Sequence, residues 1–166
     1  METTTLVGRG NAEGARLVRR WFEDLDRTAA AGGKSAYVFV MGSFAEVLRC
    51  FDLPIVMPEI NSIQTAVRHV AHDYLNQAED YGYSPDICGY VKADVAVQLR
   101  AGQHPMGRIP KPAIAVLTNA CNTYIKWAEI WERMHRIPVF TLDVPGTSIV
   151  KTGVPYIRSQ ISAHLM

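Results

Sequence analysis

Two patterns of hydrophobic and polar residues follow one another along this chain: a helical spacing at the N-terminus, and then short apolar runs that alternate with further helical stretches. Over residues 11–31, apolar side chains recur at near-helical spacing between charged ones, and Gly32-Gly33 closes the segment. This pattern predicts an amphipathic N-terminal helix. Beyond it, short apolar runs rich in β-branched and aromatic residues each precede a longer stretch with helical spacing. The pattern thus predicts one helix followed by alternating strands and helices.

Four strands are predicted in the alternating part, at residues 35–41, 54–58, 113–117 and 138–142. Helices are expected at 44–51, about 62–80, about 86–100 and 121–135, and a Gly/Pro-rich connector at 101–107. Alternating strands and helices imply a parallel sheet with right-handed crossovers, and strands covered on both faces are continuously apolar. We therefore predict an α/β fold, a doubly wound parallel sheet with an N-terminal helix and an inserted helix at 86–100.

Composition and charge narrow the class of protein. With 166 residues, 48% hydrophobic and 20% charged, the sequence describes one globular domain with a real core. A net charge of +1 without a basic stripe argues against nucleic acid as a partner. The apolar runs are too short to span a bilayer and no signal-peptide pattern is present, so we expect a cytoplasmic protein.

Candidate site residues follow the predicted strands, because ligands of open parallel sheets bind beyond the carboxyl ends of the strands. These residues are Gly42, Ser43, Glu59, Asn61, Asn119, Asn122 and Asp143. Glu59 could be a solvated surface carboxylate or a general acid/base. The three asparagines could cap helices, bind a ligand, or do both.

The three cysteines are too few and too scattered for a disulfide framework. Cys88 and Cys121 each follow a polar turn and are predicted to begin a helix, where backbone N–H groups favour a thiolate that can bind a metal. Alternatively, each is a small buried hydrophobe, and Cys50 is expected in the core. No CxxC pair indicates a zinc ribbon, and two thiolates leave a 4Fe-4S cluster short of ligands.

Two further pairs are interpreted as structural. His69 and His72 lie three residues apart on one predicted helix, without carboxylates that complete a metal site. Trp127 and Trp131 lie four residues apart on another helix, so they share a face that should pack on the sheet.

Three strings in this order carry a resemblance to a known family. They are Pro58-Glu59-Ile60-Asn61, then Gly82-Tyr83-Ser84-Pro85-Asp86-Ile87-Cys88-Gly89-Tyr90, then Asn119-Ala120-Cys121-Asn122 followed by Trp127. Over about residues 36–145 the chain resembles the 2-hydroxyacyl-CoA dehydratase and benzoyl-CoA reductase family. The second string is most similar to a catalytic subunit of ATP-dependent benzoyl-CoA reductases.

The resemblance implies a subunit of two α/β lobes with an iron–sulfur cluster, 4Fe-4S or larger, held between them by cysteines. Cys88 and Cys121 match the first two ligand positions, and the third would lie in a second lobe. We accordingly expect a helix over residues 1–33, a cluster-binding lobe over 34–150 and the start of a linking helix over 151–166. Since no cysteine follows Cys121, we expect a truncated subunit, a split gene product or a fragment.

The resemblance also implies partners and roles. An ATP-hydrolysing activator would pass electrons to the catalytic subunits and would itself bind the ATP, in agreement with the lack of a P-loop here. Glu59 matches an acidic position that could shuttle protons near the acyl-CoA substrate, and Asn61, Asn119 and Asn122 could shape the pocket.

The implied function is reduction of an aromatic acyl-CoA in anaerobic aromatic degradation, by a heteromer outside which the chain is inactive. A 2-hydroxyacyl-CoA dehydratase subunit and a metal-free structural lobe or inert fragment are the alternatives.

Overall fold

The computed structural model describes residues 4–40, 44–146 and 150–165. In chain order its elements are α1 (Thr4–Ala30), β1 (Ser35–Val38), α2 (Ala45–Leu48), a 3₁₀ turn (Arg49–Phe51), β2 (Ile55–Val56), α3 (Pro58–Val67), α4 (Ala71–Asp80), α5 (Gly89–Leu99), β3 (Gln103–His104), β4 (Gly107–Arg108), β5 (Pro112–Thr118), α6 (Asn122–His135), β6 (Val139–Leu142) and α7 (Val150–Leu165). Gly42 and Ser43, expected after the first strand, lie outside the described residues. None of the described helices is both long and apolar enough to traverse a bilayer.

Four parallel strands form the central sheet, in the order β2-β1-β5-β6. Ala36 of β1 lies between Ile55 of β2 and Ile114 of β5, and Val116 of β5 lies opposite Phe140 of β6. The prediction of an α/β fold built on a parallel sheet is therefore confirmed. β3 and β4 form a separate antiparallel hairpin within the predicted connector.

Both faces of the sheet are covered, as the apolar strands predicted. Successive side chains of a strand point to opposite faces. Tyr37 and Leu117 belong to a large core shared with α1, α4, α5 and α6, whereas Val38 and Val116 join Leu48 of α2 in a smaller cluster. Helices therefore lie on both sides, which is the arrangement of a doubly wound domain.

Trp127 and Trp131 lie in the centre of the larger core. Both are almost completely buried. Both indole rings contact the ring of Phe39, the residue that follows β1, and each pair of ring centroids is 5.0 Å apart. The prediction that this pair packs on the sheet is confirmed.

The N-terminal helix packs on the sheet through its apolar stripe. α1 begins before the predicted segment and ends at Ala30. Phe22 and Leu25 are buried in the larger core, and the Trp21 Nε1–H donates to the Ile55 carbonyl oxygen at 3.0 Å. This hydrogen bond joins the helix to the edge strand β2.

The helix predicted over residues 62–80 is two helices, α3 and α4. Pro58 begins α3, because proline suits the first turn of a helix, and this shortens the preceding strand to Ile55–Val56. His69 adopts φ 58°, and the Val70 N–H donates to the Thr65 carbonyl, a helix-ending pattern usually built on glycine. His69 and His72 therefore do not share one helix, contrary to the prediction.

The predicted connector after α5 folds into the β3–β4 hairpin. Gly102 has φ 85°, and a Cβ at this position would clash with the carbonyl oxygen of Ile109. His104 stacks on Phe22 with a centroid separation of 5.0 Å, and its Nε2 lies 3.0 Å from the Asn61 carbonyl oxygen. The hairpin thereby joins α1 to α3.

Helix α7 is joined to the loop that follows β6. The Tyr156 hydroxyl donates to Asp143 Oδ2 at 2.7 Å, and Gln160 Oε1 accepts the Asp143 N–H at 2.9 Å. A helix does cover most of residues 151–166, and its role as a link to a second lobe stays a prediction.

Candidate functional site

Cys88 and Cys121 occupy equivalent positions, since each is the residue that precedes the first turn of a helix. Cys88 is the N-cap of α5 and Cys121 is the N-cap of α6. Both are free cysteines, Cys88 exposed and Cys121 partly buried. The prediction that each begins a helix is confirmed. The unpaired backbone N–H groups at such helix starts favour anionic ligands and thiolates.

A groove of about 430 Å³ runs between the starts of α5 and α6. Its wall is mostly apolar, with polar groups from both helices, and includes Ile87, Cys88, Val91, Asn122, Lys126 and Trp127. The structure thus brings Asn122, a predicted site residue, to the same groove as Cys88. A groove with an apolar wall and a few polar groups is the usual form of a small-molecule site.

The two cysteines fit part of a ligand set for an iron–sulfur cluster. They are free thiols at helix starts, and thiolates are the usual cluster ligands. Within the described ranges, no group of three or more His, Cys, Asp or Glu side chains is placed to hold a metal ion. Any cluster held here would therefore need ligands from beyond these residues.

Cys50 lies apart from the core, and the prediction of a buried residue was wrong. It belongs to the 3₁₀ turn after α2 and is exposed, with its Sγ 3.5 Å from the Glu46 carbonyl oxygen. The turn ends at Asp52, whose left-handed backbone redirects the chain toward β2. The prediction extended one α-helix through residue 51, whereas α2 ends at Leu48 and the 3₁₀ turn that follows places Cys50 at the surface.

Glu59 is buried in the first turn of α3, with 7% of its surface exposed, so the solvated alternative is excluded. Its carboxylate accepts the Val40 N–H at 3.1 Å and the Tyr124 hydroxyl at 2.7 Å. The Tyr124 N–H in turn donates to the Cys121 carbonyl oxygen at 2.9 Å. Glu59 is thus connected through Tyr124 to the turn that carries Cys121.

The three candidate asparagines occupy different environments, and none is a helix N-cap. Asn61 lies within α3 and is completely buried, and its side-chain N and O atoms have no hydrogen-bond partner among the described residues. Asn119 donates to the Asp143 carboxylate and accepts the Val144 N–H at 2.8 Å. Only Asn122 lines the groove with Cys88. Of the alternatives for these asparagines, helix capping is therefore excluded.

Sequence reasoning missed two charged residues of α5, Lys92 and Asp94. Both are buried in the structure. The signal available in the sequence was the presence of two charged residues in the middle of an otherwise apolar helical stretch. Lys92 Nζ lies 2.6 Å from Glu79 Oε1 and 2.8 Å from the Pro85 carbonyl oxygen. Lys92 therefore contacts the segment that precedes Cys88.

Asp94 receives three hydrogen bonds inside the core. Its Oδ2 accepts the indole N–H groups of Trp127 at 2.6 Å and Trp131 at 2.7 Å, and its Oδ1 accepts the Gln98 amide at 2.9 Å. Burial raises the pKa of the Asp94 carboxyl, while these three donors favour its ionised form. Trp127, which lines the groove, is thereby held in one orientation.

A second depression, of about 330 Å³, lies beside the residues that precede β1 and β5. It is lined by Lys34, Arg108 and Lys111 and by the residues that end α1 and α5. Helix C-termini carry partial negative charge, which nearby cations stabilise. Lys34, Arg108 and Lys111 thus lie near two helix C-termini, where positive charge is favourable.

The fold and the site define an α/β lobe in which two cysteines begin neighbouring helices of the same core. Residues 42–165 match the family model described as 2-hydroxyglutaryl-CoA dehydratase, D-component. The chain belongs to this family. The match covers both cysteines and Glu59, and it confirms the resemblance on which the sequence interpretation rests.

Relatives within this family include both reductase and dehydratase subunits. The chain is 33% identical over 126 residues to a benzoyl-CoA reductase subunit of Thauera aromatica, covering 75% of this chain and 29% of that protein. It is 29% identical over 119 residues to the (R)-phenyllactyl-CoA dehydratase alpha subunit of Clostridium sporogenes, with 69% and 29% covered. The (R)-2-hydroxyisocaproyl-CoA dehydratase alpha subunit of Clostridioides difficile is 25% identical over 118 residues, with the same coverage. The chain thus spans 29% of the length of these curated relatives.

Proposed function

We propose that this chain is part of an iron–sulfur catalytic subunit of a benzoyl-CoA reductase. That subunit takes electrons from an ATP-hydrolysing activator to reduce an aromatic acyl-CoA. The observation that carries the proposal is the pair of free cysteines at the starts of α5 and α6, in a chain of this family. The likeness to a benzoyl-CoA reductase subunit supports the reductase over other members.

Cys88 and Cys121 are the proposed ligands of the cluster, and further ligands come from a second lobe or a partner subunit. When bound, the cluster supplies single electrons at low potential. The helix starts contribute backbone N–H groups that favour the anionic thiolates. Lys126 also lines the groove, and its Nζ is paired with Glu129 Oε1 at 2.9 Å.

Asn122 and the apolar wall of the groove are proposed to bind the acyl group, with Asn61 and Asn119 shaping the pocket. Apolar side chains such as Val91 and Trp127 exclude water, and the Asn122 amide can donate to a carbonyl oxygen or accept from a donor. Asn119 acts indirectly, because its amide is already held by Asp143 and the Val144 N–H.

Glu59 is the proposed proton carrier. The Val40 N–H and the Tyr124 hydroxyl hold the carboxylate in one orientation at the end of β1, close to the Cys121 turn. An ionised carboxylate has acceptor positions beyond those two donors, so it can take up a proton without leaving its place. Its burial limits exchange of that proton with solvent.

Metal analysis of purified protein tests the cluster. Iron and acid-labile sulfide per chain are measured after anaerobic purification of the wild type, Cys88→Ala, Cys121→Ala and Cys50→Ala, alone and with a second catalytic subunit and the activator. Both ions should depend on Cys88 and Cys121 and be unaffected by Cys50→Ala, which is the matched control. Absence of iron from the wild type in every mixture would contradict the proposal.

A 2-hydroxyacyl-CoA dehydratase subunit is the alternative that two of the relatives support. The assembled and reduced complex is incubated separately with benzoyl-CoA and with a 2-hydroxyacyl-CoA. We expect a reduced ring from the first thioester, whereas a product from only the second would identify the dehydratase.

A metal-free lobe is a further alternative, because the described part of the chain offers no third ligand beside the two cysteines. In that case Cys88→Ala and Cys121→Ala would leave both assembly of the complex and its iron content unchanged.

A further inference from the structure

Lys92 carries a buried charge next to the candidate site. Only 7% of its side chain is exposed, compared with 32% for its partner Glu79. A buried ammonium group destabilises a fold unless it is paired and its donors are satisfied. The Glu79 carboxylate at 2.6 Å provides the pairing, and the Pro85 carbonyl oxygen at 2.8 Å accepts a second hydrogen bond.

The second hydrogen bond reaches the segment that leads to Cys88. Pro85 lies three residues before Cys88, and the Lys92 N–H donates to the Cys88 carbonyl oxygen at 3.2 Å in the first turn of α5. The backbone bond is the regular first bond of α5, which any residue other than proline would make, so the contact that is specific to Lys92 is that of its side chain with Pro85. Glu79 lies on α4, so the ammonium group also joins the segment to a second helix.

Two other hydrogen bonds of residues 82–88 join the start of the segment to the end of α4: the Gly82 N–H donates to the Glu79 carbonyl oxygen at 2.9 Å, and the Tyr83 N–H donates to the Ala78 carbonyl oxygen at 3.0 Å. The Ile87 N–H donates to the Ser84 carbonyl oxygen at 3.1 Å, and the Asp86 N–H donates to Ser84 Oγ at 3.2 Å. The two bonds to Ser84 set the shape of the turn, and in the described part of the chain residues 84–88 are hydrogen-bonded to another element only through Lys92. The Lys92 ammonium supplies a charge-assisted anchor, which is a stronger interaction than these neutral bonds.

We propose that Lys92 is the positioning residue that holds residues 82–88 against α4 and α5 and so fixes the Cys88 thiol beside the groove. The positioning rests on geometry alone, and the claim that the thiol is positioned for an iron–sulfur cluster rests on the proposed function. Cys121 has no such contact with Lys92, so it serves as an internal reference.

Amide hydrogen exchange of the full chain tests this role. In Lys92→Met, which keeps the aliphatic stem, the Asp86 and Ile87 amides should exchange at least about tenfold faster, as expected for loss of a hydrogen bond from a charged donor. The Tyr124 amide at the Cys121 turn should keep its wild-type rate. Glu79→Gln is the comparison variant: it keeps an acceptor oxygen for Lys92 and leaves the bond to Pro85 possible, but it removes the counter-charge, so it should accelerate exchange at Asp86 less than Lys92→Met does.

The double variant Lys92→Met/Glu79→Gln removes both charges, so it reports on the segment even where Lys92→Met alone folds poorly. Unchanged exchange at Asp86 and Ile87, or equal acceleration at Tyr124, would overturn the positioning role. In the assembled complex, Lys92→Met should bind less iron than Glu79→Gln. Faster exchange together with an iron-free wild type would support the positioning of the segment and overturn the proposed function.

Discussion

His104 should make the stability of this protein fall as the pH is lowered. The Met106 N–H donates to His104 Nδ1 at 3.1 Å, so this nitrogen is an acceptor and carries no proton. Nε2, 3.0 Å from the Asn61 carbonyl oxygen, is then the donor. Both nitrogens are used by the neutral ring, and protonation of Nδ1 would set it against the Met106 donor.

The size of the effect follows from the pKa of His104. Burial lowers this pKa from 6.5 to about 4, and the nearby Arg68 charge acts in the same direction. Between these two values the unfolded chain binds a proton that the folded chain does not, so stability decreases as the pH falls below about 6.5. From pH 7 to pH 5 the free energy of unfolding should drop by about 2 kcal/mol on account of this group.

Urea unfolding followed by tryptophan fluorescence at pH 7 and pH 5 measures this difference. His104→Gln keeps a donor in place of Nε2 but does not titrate, so it should lose about 2 kcal/mol of the pH dependence, whatever its absolute stability. His72→Gln, at an exposed position of α4, should behave as the wild type. Equal pH dependence in the wild type and His104→Gln would refute the assignment of a neutral, buried His104.

Two further substitutions test contacts around the site. Trp131→Phe removes one of three donors to Asp94 and leaves a small cavity, so it should lower the free energy of unfolding by about 3 kcal/mol in a urea titration. A loss below about 0.5 kcal/mol would mean that this bond is unimportant. Asp143→Ala removes the acceptor of the Tyr156 hydroxyl and should increase amide exchange across α7 about tenfold. Unchanged exchange in α7 would show that other contacts hold the helix.

The parallel strands and the covered sheet could be predicted because buried strands leave a strong signal. Continuous apolar runs such as 113–117, separated by helical patterns, are typical of strands covered on both faces. The break between α3 and α4 could not be predicted, because neither glycine nor proline marks it. The break depends on the left-handed backbone conformation of His69. Both α3 and α4 pack on α5, and these tertiary contacts hold the two helices on either side of the break.

At the site, local signals succeeded and long-range contacts were missed. Polar turns before Cys88 and Cys121 predict where α5 and α6 begin, because a change from turn to helical sequence pattern is a local signal, although no side chain caps either helix. The burial of Glu59 depends on Tyr124, which lies 65 residues further along the chain. The residue pattern of a single segment does not indicate the hydrogen bond between Glu59 and Tyr124. Nor does it indicate the contact between Lys92 and Pro85.

Asp94 connects the buried core to the geometry of the candidate site. It lies on α5, which begins at Cys88, and accepts hydrogen bonds from two successive turns of α6, which begins at Cys121. Two bonds from Trp127 and Trp131 to one oxygen restrict how far α6 can rotate about its axis or slide along α5. Because a cluster tolerates little variation in the placement of its ligands, a fixed relation between the two helix starts is what the proposed function requires. A buried carboxylate is an unfavourable core residue on its own, and this coupling of the two cysteine-bearing helices gives a physical reason for its presence.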